Sequence, residues 1–85
     1  MTENISLIAK TKMIESIRTG IRKQVVCLYQ SWASGFISKE EFDSAMCDTR
    51  STGECIVESM ETMDLLGSEE TLHLIKFIRA LTETY

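Results

Sequence analysis

The sequence predicts an all-α fold, a small bundle of three long helices in a single domain over residues 1–85, and three observations carry that expectation. Among 85 residues there is no proline and there are only four glycines, so the residues that break helices and build β-turns are nearly missing. Apolar residues recur three and four apart through most of the chain, which is the period of an α-helix. Hydrophobic content of 44% beside 26% charged residues, with no low-complexity run, belongs to an ordered domain rather than a solvated tail. A chain this short buries a modest share of its surface, so the core is expected to be thin.

The first helix is marked by Ile14, Ile17, Ile21, Val25, Leu28 and Trp32, a single stripe along one helical face. Leu7 lies two turns upstream of Ile14, so the helix begins near Thr2 or Asn4, or restarts around Thr11 after a break. It ends at Ser34-Gly35, where glycine accepts the left-handed conformation of a helix C-terminus.

The stretch SWASGFISKEEFDSAM, Ser31 to Met46, then imitates the outgoing half of a calcium-binding loop. With Gly35 at the turn position, Ile37 takes the apolar place and Glu41 the bidentate one. The first, third and fifth ligand positions, however, fall on Gln30, Trp32 and Ser34, which cannot supply the charge that dehydrates a hard cation. A helix start uses the same letters without remainder. Ser38 and Glu41 make a capping box, and Ile37 with Phe42 makes the hydrophobic staple around it. The stretch from about Leu28 to Met46 also resembles the short C-terminal oligomerisation segments of bacterial proteins that read L…GxISxEEFxxxK, with Met46 at the lysine.

Beyond Phe42 the residues Met46, Thr49, Gly53, Ile56, Met60 and Met63 follow at alternating steps of four and three, a heptad-like seam. Ser51 with Glu54 offers a second capping box, so this helix is either continuous or broken near residues 50–52, which would make the bundle four-helical. Gly53 alternatively marks a close helix crossing. Gly67-Ser68 is expected to end this segment and to cap the last helix, with Glu69 and Glu70 in its first turn. Leu74, Ile78, Leu81 and Tyr85 form the final stripe, supported by Leu72, Ile75 and Phe77.

A first helix from about Asn4 to Ser34 is roughly 45 Å long at ~1.5 Å per residue, whereas a compact chain of this size has a radius of gyration of about 12 Å. The overhang makes Leu7, Ile14, Ile17, Ile21, Val25 and Leu28 a candidate dimer seam, closed by a two-fold axis.

Chemistry is poorly provided for. One histidine, His73, three cysteines without CxxC spacing, and no HExxH, GxSxG or glycine-rich phosphate loop argue against an enzyme, a cofactor or a metal site. No apolar run nears the roughly 20 residues of a membrane span, and reduced thiols suit a cytoplasmic location.

The net charge of −4 conceals a polarised chain, with a balance of +3 over residues 1–37 and −8 over residues 38–70. Two function classes follow. Glu54, Glu58, Glu61 and Asp64 could dock on a basic surface of another protein, which makes the chain a regulator, adaptor or inhibitor. Alternatively Arg18, Arg22 and Lys23, within two turns of the first helix, could contact nucleic-acid phosphates. The plainest reading of both charge sets is a pair of solvated faces.

Overall fold

A computed structural model describes residues 7–84. Among these residues the chain forms three α-helices and no strand: α1 (Leu7–Ala33), α2 (Lys39–Thr62) and α3 (Ser68–Glu83). Each helix packs on the other two. The start of α1 lies beside the start of α3, where Lys10 meets Glu70 at 3.3 Å, and the middle of α2 reaches the end of α3, where Arg50 meets Glu83 at 3.2 Å. Neighbours in sequence are therefore antiparallel, as short connections require.

Helix α1 runs unbroken through residues 10–12, so the restart weighed near Thr11 does not occur. Its 27 residues at ~1.5 Å each span roughly 40 Å and set the long dimension of a molecule measuring 53 × 19 × 16 Å. The radius of gyration, 14.7 Å, exceeds the compact value for the same reason. The caps expected at Thr2 or Asn4, and Tyr85 of the last stripe, lie outside the described residues.

Helix α2 is also continuous, which settles the bundle as three helices rather than four. Gly53 explains why no break is needed. A β-carbon there would stand 3.0 Å from Cδ1 of Ile21 and 3.1 Å from Cδ1 of Ile78, so the glycine marks the crossing of all three helices. The buried stripe of α2 is Phe42, Met46, Thr49, Gly53 and Val57. The heptad reading had placed Ile56 and Met63 in that stripe, yet they are 49% and 61% exposed. A straight helix gains about 20° per heptad on a strict seven-residue repeat, so two heptads after Phe42 the inward position passes from residue 56 to residue 57.

The two connections repeat one design. Gly35 (φ 83°) and Asp64 (φ 64°) are both left-handed, and each is flanked by the paired backbone hydrogen bonds of a Schellman end. Gly35 and Phe36 donate to Trp32 and Ser31; Asp64 and Leu65 donate to Glu61 and Met60. Helix α2 thus ends at Met63-Asp64, before the Gly67 expected to end it, because an aspartate accepts the left-handed site. Three residues after each left-handed residue comes the N-cap of the next helix. At Ser38 the full capping box is present: the Glu41 amide donates to Oγ at 3.1 Å and the Ser38 amide to Oε1 at 2.8 Å. At Gly67 only the return half exists, its amide donating to Glu70 Oε1 at 2.7 Å.

The core has two clusters. Val57, Leu66, Leu74 and Ile78 fill one, Val25, Phe42 and Met46 the other, and Ile21 packs against both. Trp32 stacks on Phe42 at 4.8 Å and closes the lower end.

Candidate functional site

Helix α3 covers one side of the α1–α2 pair, and the other side carries a groove of about 350 Å³ to which α3 contributes nothing. Its walls are short side chains, Gly20 on α1 and Ala45, Thr49, Thr52 and Gly53 on α2, with Ile21 and the half-exposed Ile56 as apolar surface. Gln24 crosses the floor and donates to the Thr49 hydroxyl at 3.5 Å. Asp48 stands on the α2 rim, and Lys23 lies beside Gly20 on the outer face of α1.

The α1–α3 edge is different in kind. Both Arg18 and Arg22 lie over the ring of Phe77, with their guanidinium carbons 5.2 and 5.4 Å from its centroid. Neither is within ion-pair distance of a carboxylate among the described residues. The other two arginines both are: Arg79 grips Glu54 with contacts of 2.7 and 3.3 Å, and Arg50 meets Glu83. Lys23, grouped with Arg18 and Arg22 by sequence, is not one of the cations over Phe77; it lies between Lys12 and Gly20 on one side and Arg22 on the other.

The acidic residues singled out by the sequence are separated by the fold. Glu54, Glu58 and Glu61 share the edge of α2 that faces α3, and two of them are engaged there. Hydrogen bonds from Arg79 hold the Glu54 carboxyl below the usual range, and Glu61 accepts from the Ser68 hydroxyl at 3.2 Å. Glu58 has no ion-pair partner among the described residues, and Asp64 occupies the left-handed turn. The acidic edge is therefore partly neutralised from within.

The stripe read as an intersubunit seam is packed inside the chain. Ile14, Ile17 and Ile21 lie against Val57, Leu74 and Ile78, while Leu28 joins the cluster of Val25, Phe42 and Met46. Val25 is fully buried, and of the six seam residues only Leu7 is exposed, at 78%. The overhang of α1 is shorter than expected because α2 and α3 run beside nearly all of it. Of the calcium frame, Gln30 and Trp32 lie inside α1, so the incoming half of a loop does not form. Cys27, Cys47 and Cys55 are exposed free thiols, and His73 is exposed on α3. Among the described residues no group of three or more histidine, cysteine, aspartate or glutamate side chains is placed to hold a metal, and no helix is long and apolar enough to cross a membrane.

No family model, curated protein or solved structure matches the chain.

Two features of these surfaces went unremarked in the sequence. Gly20 sits in mid-helix, where it costs about 1 kcal/mol against alanine, and that cost was the available signal for an approach to its backbone. Phe77 was counted only as a supporting apolar residue, and nothing local announces a partner some fifty-odd positions earlier in the chain.

Proposed function

We propose that the chain is a non-enzymatic, cytoplasmic helical protein that acts by binding other proteins, and that it does so as a dimer joined through the α1–α2 groove. The observation that carries this reading is the groove itself: a small-walled channel of mixed apolar and polar lining between two long helices, left open on the side away from α3. Such a channel accepts helices, because short side chains let a second backbone come close and a half-exposed Ile56 gains from burial.

A second copy is the occupant because the rims are self-complementary. Gln24 is level with Thr49, and Ile21 with Gly53, so Lys23 and Asp48 sit within about one turn of each other along the bundle. A two-fold axis parallel to the helices lays α1 of one copy over α2 of the other and brings each Lys23 toward the other copy's Asp48. Neither residue has an ion-pair partner within the chain among the described residues. The α3 side then remains outward for a further protein.

Sedimentation equilibrium tests this. The wild type is expected to be a dimer at micromolar concentration. Gly20→Lys should give a folded monomer, since a β-carbon at residue 20 meets nothing within its own chain. Lys23→Asp or Asp48→Lys alone should weaken association, and the two together should restore it. A wild type that is monomeric at high micromolar concentration overturns the dimer.

A further inference from the structure

We propose that Arg18, Arg22 and Phe77 form a carboxylate clamp that receives an acidic segment of a partner protein. The inference rests on the protein-binding reading but not on the dimer, whose groove lies between α1 and α2.

Two cations over one aromatic ring repel each other, and a fold that pairs its other two arginines with glutamates leaves these two unpaired. Nor does either guanidinium donate a hydrogen bond to any acceptor among the described residues. Glu15 precedes Arg18 by three positions on α1, yet no ion pair joins them. The ring restrains both side chains through cation–π attraction, which lowers the entropy lost when a ligand arrives. What remains is two planar forks of N–H donors held at one place on the α1–α3 edge. That is the arrangement which carboxylates accept bidentately.

The ligand is a carboxylate cluster of a protein rather than a nucleic acid. A polyanion is held by an extended run of basic residues that release counterions along its length. Here only Arg18 and Arg22 lie over the ring, Lys12 is elsewhere on α1, Lys23 flanks Arg22 alone, and the whole chain carries a charge of −4. Long-range steering therefore opposes a polyanion, whereas a short acidic motif feels mainly the two nearby cations.

The test titrates the full chain with a helical peptide carrying glutamates at i and i+4, followed by the arginine Nε–Hε resonances and the dissociation constant. The signals of Arg18 and Arg22 should move, and those of Arg50 and Arg79 should stay. Arg18→Gln with Arg22→Gln should weaken binding about tenfold. Lys12→Gln with Lys39→Gln, an equal change of charge away from both the groove and the ring, should alter it within about twofold. Phe77→Leu keeps an apolar side chain but removes the ring, and it should fall between. Equal losses in the two double variants, equal binding of the glutamine version of the peptide, or no movement of the Arg18 and Arg22 signals overturns the clamp. Tighter binding of a single-stranded oligonucleotide, with the same dependence on Arg18 and Arg22, overturns it in favour of phosphate. A monomeric result for the groove leaves the clamp standing, because the peptide is supplied pure and the sites are separate.

Discussion

Ile21 of α1 reaches across to Gly53 of α2 so closely that its Cδ1 lies 3.0 Å from the place a β-carbon on that glycine would occupy. Ile78 of α3 closes the same spot from the other side, at 3.1 Å. The chain's other mid-helix glycine, Gly20, has nothing within 4 Å of its hypothetical β-carbon. The two residues share a propensity cost and differ in packing. Gly20→Ala is therefore expected to stabilise the fold by up to about 1 kcal/mol. Gly53→Ala should yield no such gain, because the isoleucine methyls must shift to admit the carbon. Gly53→Leu should cost about 3 kcal/mol or more through overpacking. Chemical denaturation of the three variants checks the order.

The capping box at Ser38 gives the second prediction. Ser38→Ala removes the acceptor of the Glu41 amide and should cost about 1 kcal/mol. Millimolar calcium should leave the thermal midpoint of the wild type where it is, since Gln30 and Trp32 are helical and the ligand loop is not formed. A rise of several degrees with calcium would return this segment to the metal-binding reading.

Comparison of the two connections supplies the third. The fourth residue of α2 is the buried Phe42, stapled under Ile37; its counterpart in α3 is the buried Thr71, and Leu66, at the place corresponding to Ile37, is buried as well. The Thr71 hydroxyl is buried without a hydrogen-bond partner. Thr71→Val keeps the shape and removes the desolvated oxygen, so it should stabilise by about 1 kcal/mol. Loss of stability would mean that the hydroxyl is satisfied in solution.

How legible these features were depended on their range along the chain. The Ser38 box, its staple and the α1 stripe involve residues within one or two turns, and their spacing alone points to them. The seam of α2 was readable only to one residue, because a 3.5-residue and a 3.6-residue period diverge slowly: Phe42, Met46 and Thr49 satisfy both, and only at Ile56 and Val57 do the two differ. The α1 stripe was visible, but its use was not. An apolar face does not say whether another helix of the same chain or of a second copy covers it. Charge was least legible. Counting acids places Glu54 and Glu58 in one group, while the fold gives Arg79 to the first and no ion-pair partner among the described residues to the second. The Arg18–Phe77–Arg22 cluster joins helices at opposite ends of the sequence, and no local pattern encodes it.

The ion pairs make stability depend on pH in a direction that can be worked out. Glu54 is held below the ordinary carboxyl value of 4.5, chiefly by its hydrogen bonds with Arg79 and less by charge, against the opposing effect of burial. Glu70 is held below it chiefly by the Gly67 amide, with Lys10 assisting. A carboxyl whose folded value is depressed binds fewer protons folded than unfolded near pH 4, so its contribution is complete above the ordinary value and is lost as acid protonates the folded form. The thermal midpoint should therefore stay level from pH 7 to about pH 5 and decline below it. Both carboxyls are partly covered but keep contact with solvent, Glu70 more than Glu54, so the decline should be gradual rather than a collapse. Glu54→Gln should flatten the acid limb, Glu70→Gln should flatten it too, and the double variant should flatten it most, since the two pairs lie at separate places along the bundle. Arg79→Gln should reproduce the effect of Glu54→Gln, and adding it to that variant should change the limb little. An acid limb identical in the wild type and in Glu54→Gln would show that the pair with Arg79 does not persist in solution, and would return Glu54 to the free acidic edge of α2.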